Sequence, residues 1–437
     1  MYKSNYNEKI WKPELNHIKT KVDYYGLLAK ITFILYMFFA YYGTSLPFQT
    51  STRDIQEIST SNIVNQIAFS TLFITALISL IPKWSEVIRL IKQEKFLTIF
   101  FIWGLMTIMW SSYSFVSFKR YFQVITTIVV CISALVHYKS SNDLIKIFKY
   151  LLGIYVVLSL ISVFTIPGAK ETYGPWRGLA KSKNLLGQIA LFSILIWFAS
   201  LRDRAFFLKF FNFFMLLLSI ILLIGSHSFT DELTLFILFF SWIGLFLDKY
   251  LNVIMSKKIL FTLIVFWGIG FIITILFVDP KWIGDFFSVS GRNLTFTGRT
   301  EIWSDILKIA DKHLLFGCGF QGFWVIGSPI TDQLYKKYIW IPLQAHNGYI
   351  DILNETGIIG LVLFILTFIK YFSSLVRYNK PHFWKWVVVS AIIINITEST
   401  FIRPQLVPGV MYIFGYLALM SDINKDEVSN SLKKLSP

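Results

Sequence analysis

Four arginines, Arg120, Arg177, Arg299 and Arg403, come from four separate segments that lie between or at the ends of long apolar stretches. A guanidinium grips phosphate oxygens in a two-pronged way and keeps its charge at any pH. A set of them at a bilayer surface therefore suits an anionic ligand that carries phosphates. Any one alone is better explained by snorkelling to headgroups or by an ion pair, whereas four from separate segments favour a shared ligand. His346, in QAHNGYIDIL, stands at the mouth of a helical pattern. A neutral imidazole there can take a proton from a hydroxyl, or it can be a structural group bonded to backbone. Glu398 lies five residues before Arg403, near the end of an apolar stretch. An ionisable group at that depth is a functional candidate by default; the alternative is an ion pair with Arg403. His227 is a minor candidate, and the remaining histidines fall in segments of the opposite side or at a surface-type helix end.

Several chemistries lack their residues. The loops around these groups hold no DxD pair, no HExxH helix and no Cys/His cluster, so neither a metal nor a cofactor is expected. A G-x-S-x-G elbow is missing, which argues against a serine hydrolase. Cys131 falls in an apolar run and Cys318 in a loop, so no disulfide is expected.

The elements that must position these groups are membrane helices. Of 437 residues 55% are apolar and only 15% charged, against about 25% charged in a soluble domain. A spanning helix needs roughly 20 mostly apolar residues. Twelve candidates read as 25–42, 63–82, 96–111, 119–137, 147–166, 185–201, 207–226, 232–247, 259–278, 356–372, 386–401 and 404–421. The fold class is thus all-α and polytopic, with residues 1–437 as a single membrane domain. The net charge of +16 comes largely from short basic loops, such as Lys83 to Lys95 and Lys249 to Lys258, that alternate as one side. By the positive-inside rule that side is cytoplasmic, together with tails 1–24 and 422–437. The same distribution removes nucleic acid as a partner and leaves the lipid bilayer. No removable signal peptide is expected. The opposite side carries two longer loops, 167–184 and 279–355, whose basic residues run against the orientation rule and need another reason to be there. The large loop is folded: 300–312 carries a helix pattern, and Asn347 can cap a short helix that stops at Gly357.

Three blocks, WRGLAKSKNLLGQ (176–188), TGRTEIW (297–303) with LLFGCGFQGFW (314–324), and QAHNGYIDILNETGIIG (344–360), occur in this order. Together they resemble the O-antigen ligase and polymerase superfamily of bacterial envelope glycosyltransferases, over roughly residues 100 to 420. The resemblance implies a C-type glycosyltransferase fold in the bacterial inner membrane, with the active site on its extracytoplasmic face. It implies transfer of an undecaprenyl-diphosphate-linked glycan to an acceptor hydroxyl, with inversion and without a metal. Carried over by motif, Arg177, Lys183 and Arg299 bind the diphosphate, joined by Arg120; Arg403, outside the three blocks, is added as a diphosphate-binding candidate by its charge and place. His346 is the base or orienter, with Asn347, Asn184 and Glu398 in support. The usual first block has His-Lys-Asn where this chain has Ser182, Lys183 and Asn184. Trp176, Trp303, Trp324 and Trp340 either stack on sugars or anchor at the interface. The acceptor reading is a polysaccharide polymerase, since GRTEIW and WIPLQAHNGY look most like members linked to exopolysaccharide or capsule. A ligase acting on lipid A–core, a protein-glycosylating member and a lipid-linked glycan transporter are the alternatives. A chain-length regulator is a candidate partner.

Overall fold

The computed structural model describes residues 23–42, 63–171, 174–203, 205–251, 299–338, 343–378, 382–403 and 406–435. The expected ninth span at 259–278, the large loop before Arg299, the N-terminal tail and Trp340 lie outside them. Fourteen α-helices occur among the described residues: α1 (Tyr24–Tyr42), α2 (Ile63–Leu80), α3 (Trp84–Gln93), α4 (Lys95–Thr107), α5 (Ser114–His137), α6 (Ile145–Thr165), α7 (Lys183–Ser200), α8 (Phe206–Ser226), α9 (Phe229–Leu251), α10 (Arg299–Ala310), α11 (Pro329–Lys337), α12 (Gly348–Tyr378), α13 (Trp384–Ile394) and α14 (Val407–Leu435). No strand occurs among these residues. Seven helical stretches among them are long and apolar enough to cross a membrane, with Lys95–Trp110 and Trp384–Ile394 as shorter apolar ones.

The longer helices form because their apolar runs are long and mostly free of internal breakers, and in lipid the backbone must satisfy its own hydrogen bonds. Their surfaces divide accordingly. α8 turns Phe206, Phe207, Phe210 and Phe214 outward, as suits a lipid-facing wall. α14 is buried nearly throughout its first half, with Met411, Phe414, Ala418 and Leu419 fully enclosed. It packs against α13 and α5 and forms the centre of the bundle. The last expected span ends at 421, but α14 continues to Leu435, through the stretch read as a tail.

Two helix breaks shape the region around His346. The first is at Gly357, within α12, where φ is 71° and ψ −176°. The break strips carbonyls of helical partners, and the LLFGCG segment supplies replacements. Cys318 and Gly319 donate their N–H groups to the carbonyls of Asn354 and Glu355, at 3.0 and 2.9 Å. The Trp103 indole donates to the carbonyl of Thr356, at 2.8 Å. In return Ile358 N–H donates to Leu314 O, at 2.8 Å. Only glycine fits at 357: a Cβ there would lie 2.2 Å from Leu315 O, and the backbone occupies a region that is almost exclusively glycine's. Gly357→Ala is expected to cost at least about 2–3 kcal/mol. A thermal melt of the purified variant in detergent should show a clear drop, and an unchanged midpoint would contradict this role.

The second break is after Ile394. The expected span ran to 401, but α13 stops seven residues earlier. Asn395 is responsible: its Oδ1 accepts from the N–H groups of Thr400 and Phe401, at 2.7 and 3.1 Å, and its Nδ2 donates to Ala391 O and Thr400 Oγ1. An asparagine that offers the chain such local bonds competes with the helix and ends it. Glu398 therefore stands in a turn, not on a helix face.

Candidate active site

The start of α12 is sewn to the turn that follows α13. Asn347 Oδ1 accepts from Tyr349 N–H and Ile350 N–H, at 3.0 and 3.1 Å, and caps α12 as its position suggested. Its own N–H donates to Ser399 Oγ at 3.1 Å. Gly348 N–H lies 2.9 Å from Asn395 O and 3.1 Å from Glu398 O. That approach needs glycine, since a Cβ at 348 would lie 2.4 Å from Asn395 Oδ1. His346, just outside the cap, has a φ of 52°. Left-handed backbone is uncommon outside glycine and tends to collect at functional sites.

This geometry brings His346 to Glu398. His346 Nδ1 lies 3.1 Å from Glu398 Oε2. Arg299 Nη2 lies 2.7 Å from Glu398 Oε1. Asn184 Nδ2 donates to the same Oε1 at 2.8 Å, and Gln344 Nε2 donates to Oε2 at 3.2 Å. One carboxylate, only 5% exposed, thus gathers side chains from α7, α10 and the 343–347 turn. Burial pushes its pKa up, but His346, Arg299 and Asn184 outweigh burial and hold it at about 2, below the ordinary 4.5. An ionised Glu398 accepts from Nδ1–H of His346, which leaves the basic lone pair on Nε2.

A second cluster lies directly behind. Asp351, on α12, accepts from Ala345 N–H at 3.2 Å and from the Trp324 indole at 2.8 Å. Its Oδ2 is 3.2 Å from Arg403 Nη2. The alternative of a pair between Glu398 and Arg403 is not realised: with the helix ended at Ile394, Glu398 pairs with Arg299 and Arg403 with Asp351. Arg120 donates to the carbonyls of Gln321 and Trp324, at 2.6 and 3.1 Å. Gln321 also has left-handed backbone, with φ 49°. Its N–H donates to Glu355 Oε2 at 3.0 Å, and its side-chain amide donates to Ile402 O. The four elements that carry Arg120, Gln321, Glu355 and Arg403 are joined in this way.

The remaining expected residues hold other partners. Arg177 is tied through Nε to Gly168 O within its own loop. Lys183 opens α7, its N–H donating to Glu171 Oε1 at 3.1 Å, with Ser182 as N-cap and Asn184 next in the chain. Trp303 donates its indole N–H to Ala345 O at 2.8 Å, and both Trp303 and Trp324 are buried, so they brace the His346 turn from inside. Sequence reasoning passed over Gln344, Asp351, Gln321 and Asn395. The signals were present but weak: Gln344 and Asp351 belong to the same block as His346, and Gln321 sits among glycines.

An all-α chain of membrane-length helices, with a buried polar site at two broken helix junctions, defines a polytopic membrane protein. Residues 185–365 match the O-antigen ligase family, a stretch that takes in Arg299, His346 and Asp351 and ends before Glu398. The chain is 34% identical over 92 residues to the exopolysaccharide production protein ExoQ of Rhizobium meliloti, covering 20% of this chain and 21% of that one. It is 27% identical over 214 residues to a protein named as a polysaccharide ligase in Rickettsia bellii, covering 43% and 52%. It is 24% identical over 193 residues to the ComP-specific O-oligosaccharyltransferase of Acinetobacter baylyi, covering 44% and 35%. These similarities all point towards the O-antigen ligase superfamily. The matches span no more than 52% of the length of any of these three relatives.

Proposed function

We propose that this protein is a metal-independent inverting glycosyltransferase that uses an undecaprenyl-diphosphate-linked glycan and transfers it to a sugar hydroxyl, as a polysaccharide polymerase. The observation that carries the reading is the triple contact of His346, Glu398 and Arg299 within 3.1 Å. His346 Nε2 takes the acceptor proton as the hydroxyl oxygen attacks the anomeric carbon from the face opposite the diphosphate. The carbon–oxygen bond to the diphosphate breaks, and undecaprenyl diphosphate leaves. Glu398 fixes the tautomer and balances the imidazolium that forms. Arg299, with Arg403, Lys183 and Arg177, supplies positive charge where the leaving group gains negative charge, and each such contact is worth about 3 kcal/mol of barrier by analogy with oxyanion donors. Arg120, whose guanidinium is taken by two carbonyls, shapes the 317–324 loop and adds to the field rather than gripping the phosphate itself.

The site belongs, in this reading, to the extracytoplasmic face of the inner membrane, with loop 279–355 on that side and a chain-length regulator as a partner. His346, Arg299 and Glu398 stand at helix ends and turns. The similarity to an O-antigen ligase family and to relatives named as a ligase and an oligosaccharyltransferase leaves the lipid-linked glycan transporter as the less well supported reading. The similarity to an exopolysaccharide production protein favours polymerisation, while the relative named as a polysaccharide ligase supports ligation to lipid A–core as the second reading.

Deletion of the gene followed by glycan analysis separates them. Loss of a polymerase leaves single repeat units on the acceptor, whereas loss of a ligase leaves long chains on the lipid carrier. An unchanged glycan profile would overturn both.

A further inference from the structure

The polar segment between the second and third expected spans was read as a basic loop, but it holds α3. Its residues divide into two rows. Val87 and Leu90 are buried, and α3 packs with α14 and α5. Trp84, Ile88 and Ile91, at i, i+4 and i+7, face outward at 54%, 39% and 42% exposure. This apolar row, on a helix set between two apolar helices, is left open by the described residues. The helix is joined to α2 through Pro82 at one end and to α4 through Glu94 at the other. With α2 and α4 read as membrane helices, α3 falls between their ends, at the membrane surface.

The charges beside that row say which lipid. Lys83 is neutralised by Glu86, at 2.8 Å. Glu94 is buried and accepts from the Tyr416 hydroxyl at 2.6 Å. Arg89, Lys92 and Lys95 are exposed and form no ion pair among the described residues. Three uncompensated cations flank an apolar row at the membrane surface. This is the pattern of an interfacial amphipathic helix that prefers anionic headgroups.

We infer that α3 is a docking surface for anionic phospholipid, with Trp84, Ile88 and Ile91 seated at the acyl boundary and Arg89, Lys92 and Lys95 on the headgroup phosphates. The surface is separate from the His346 site and stands whether or not the transferase reading holds.

The test places a bimane fluorophore on Ile88→Cys in the full chain, reconstituted in vesicles of mixed lipid. Quenching by brominated phosphatidylglycerol is compared with quenching by brominated phosphatidylcholine. Each basic side chain that reaches a headgroup contributes a preference of about fivefold, so the anionic lipid should quench at several-fold lower mole fraction. In the Arg89→Gln, Lys92→Gln, Lys95→Gln triple variant the two lipids should quench alike, which also shows that the helix remains against the bilayer. Equal quenching in the parent chain would overturn the headgroup preference. Absence of quenching by either lipid would overturn the docking itself.

Discussion

His346→Ala should abolish glycan transfer while the protein still inserts and folds. A positioned general base is worth about 10²- to 10⁴-fold in rate, and in this site no other imidazole reaches Glu398 among the described residues. The side chain is 20% exposed and contributes little to the apolar core. Its removal leaves Glu398 still held by Arg299, Asn184 and Gln344. The fold is therefore expected to survive, and the loss should fall on turnover. Membrane levels and thermal midpoint measured beside transfer separate the two effects. Transfer near the parent rate by a folded His346→Ala protein would remove the histidine from the chemistry.

Glu398→Gln should damage both activity and stability, and the two effects differ in their pH dependence. The substitution keeps the shape but removes the charge that balances Arg299 and His346. Breaking a buried pair from one side costs about 3–5 kcal/mol, and the proton-accepting tautomer of His346 loses its fixed partner. The carboxyl of Glu398 sits near 2 in the fold against an ordinary 4.5. A group depressed on folding adds stability that is fully present above the unfolded value and is lost as pH falls towards the folded one. The gap in thermal midpoint between parent and Glu398→Gln should thus be constant at neutral pH and narrow between about pH 4.5 and 2. A gap that stays the same into acid would mean that the stabilisation does not come from the ionised carboxylate.

The membrane helices were legible because the signal is the length of apolar sequence, which no tertiary contact can disguise. The cap by Asn347 and the stop at Gly357 were legible for a related reason: both depend on local backbone needs that few residue types meet. The end of α13 was not, since an apolar run continues past Ile394 and only the Asn395 side chain, folding back on Thr400 and Phe401, halts the helix. That one break redirected the pairing of Glu398 from Arg403 to Arg299. α3 was hidden because its basic residues read as a loop, although Val87 and Leu90 recur at helical spacing on its inner face. The roles of Asp351 and Gln321 consist of hydrogen bonds to residues distant in sequence, and nothing in the local pattern announces them. Arg120 shows the converse. Its residue type suggested a phosphate ligand, while its position behind the 317–324 loop gives its guanidinium two backbone carbonyls to hold.

The most direct measurement of the central claim is transfer by the purified full chain in vesicles, with an undecaprenyl-diphosphate-linked glycan, its acceptor and excess chelator. One undecaprenyl diphosphate should be released for each new glycosidic bond, with the anomeric configuration inverted and the rate unaffected by the chelator. Retained configuration, or a reaction that runs only when a divalent metal is restored, would contradict a site built from His346, Glu398 and Arg299.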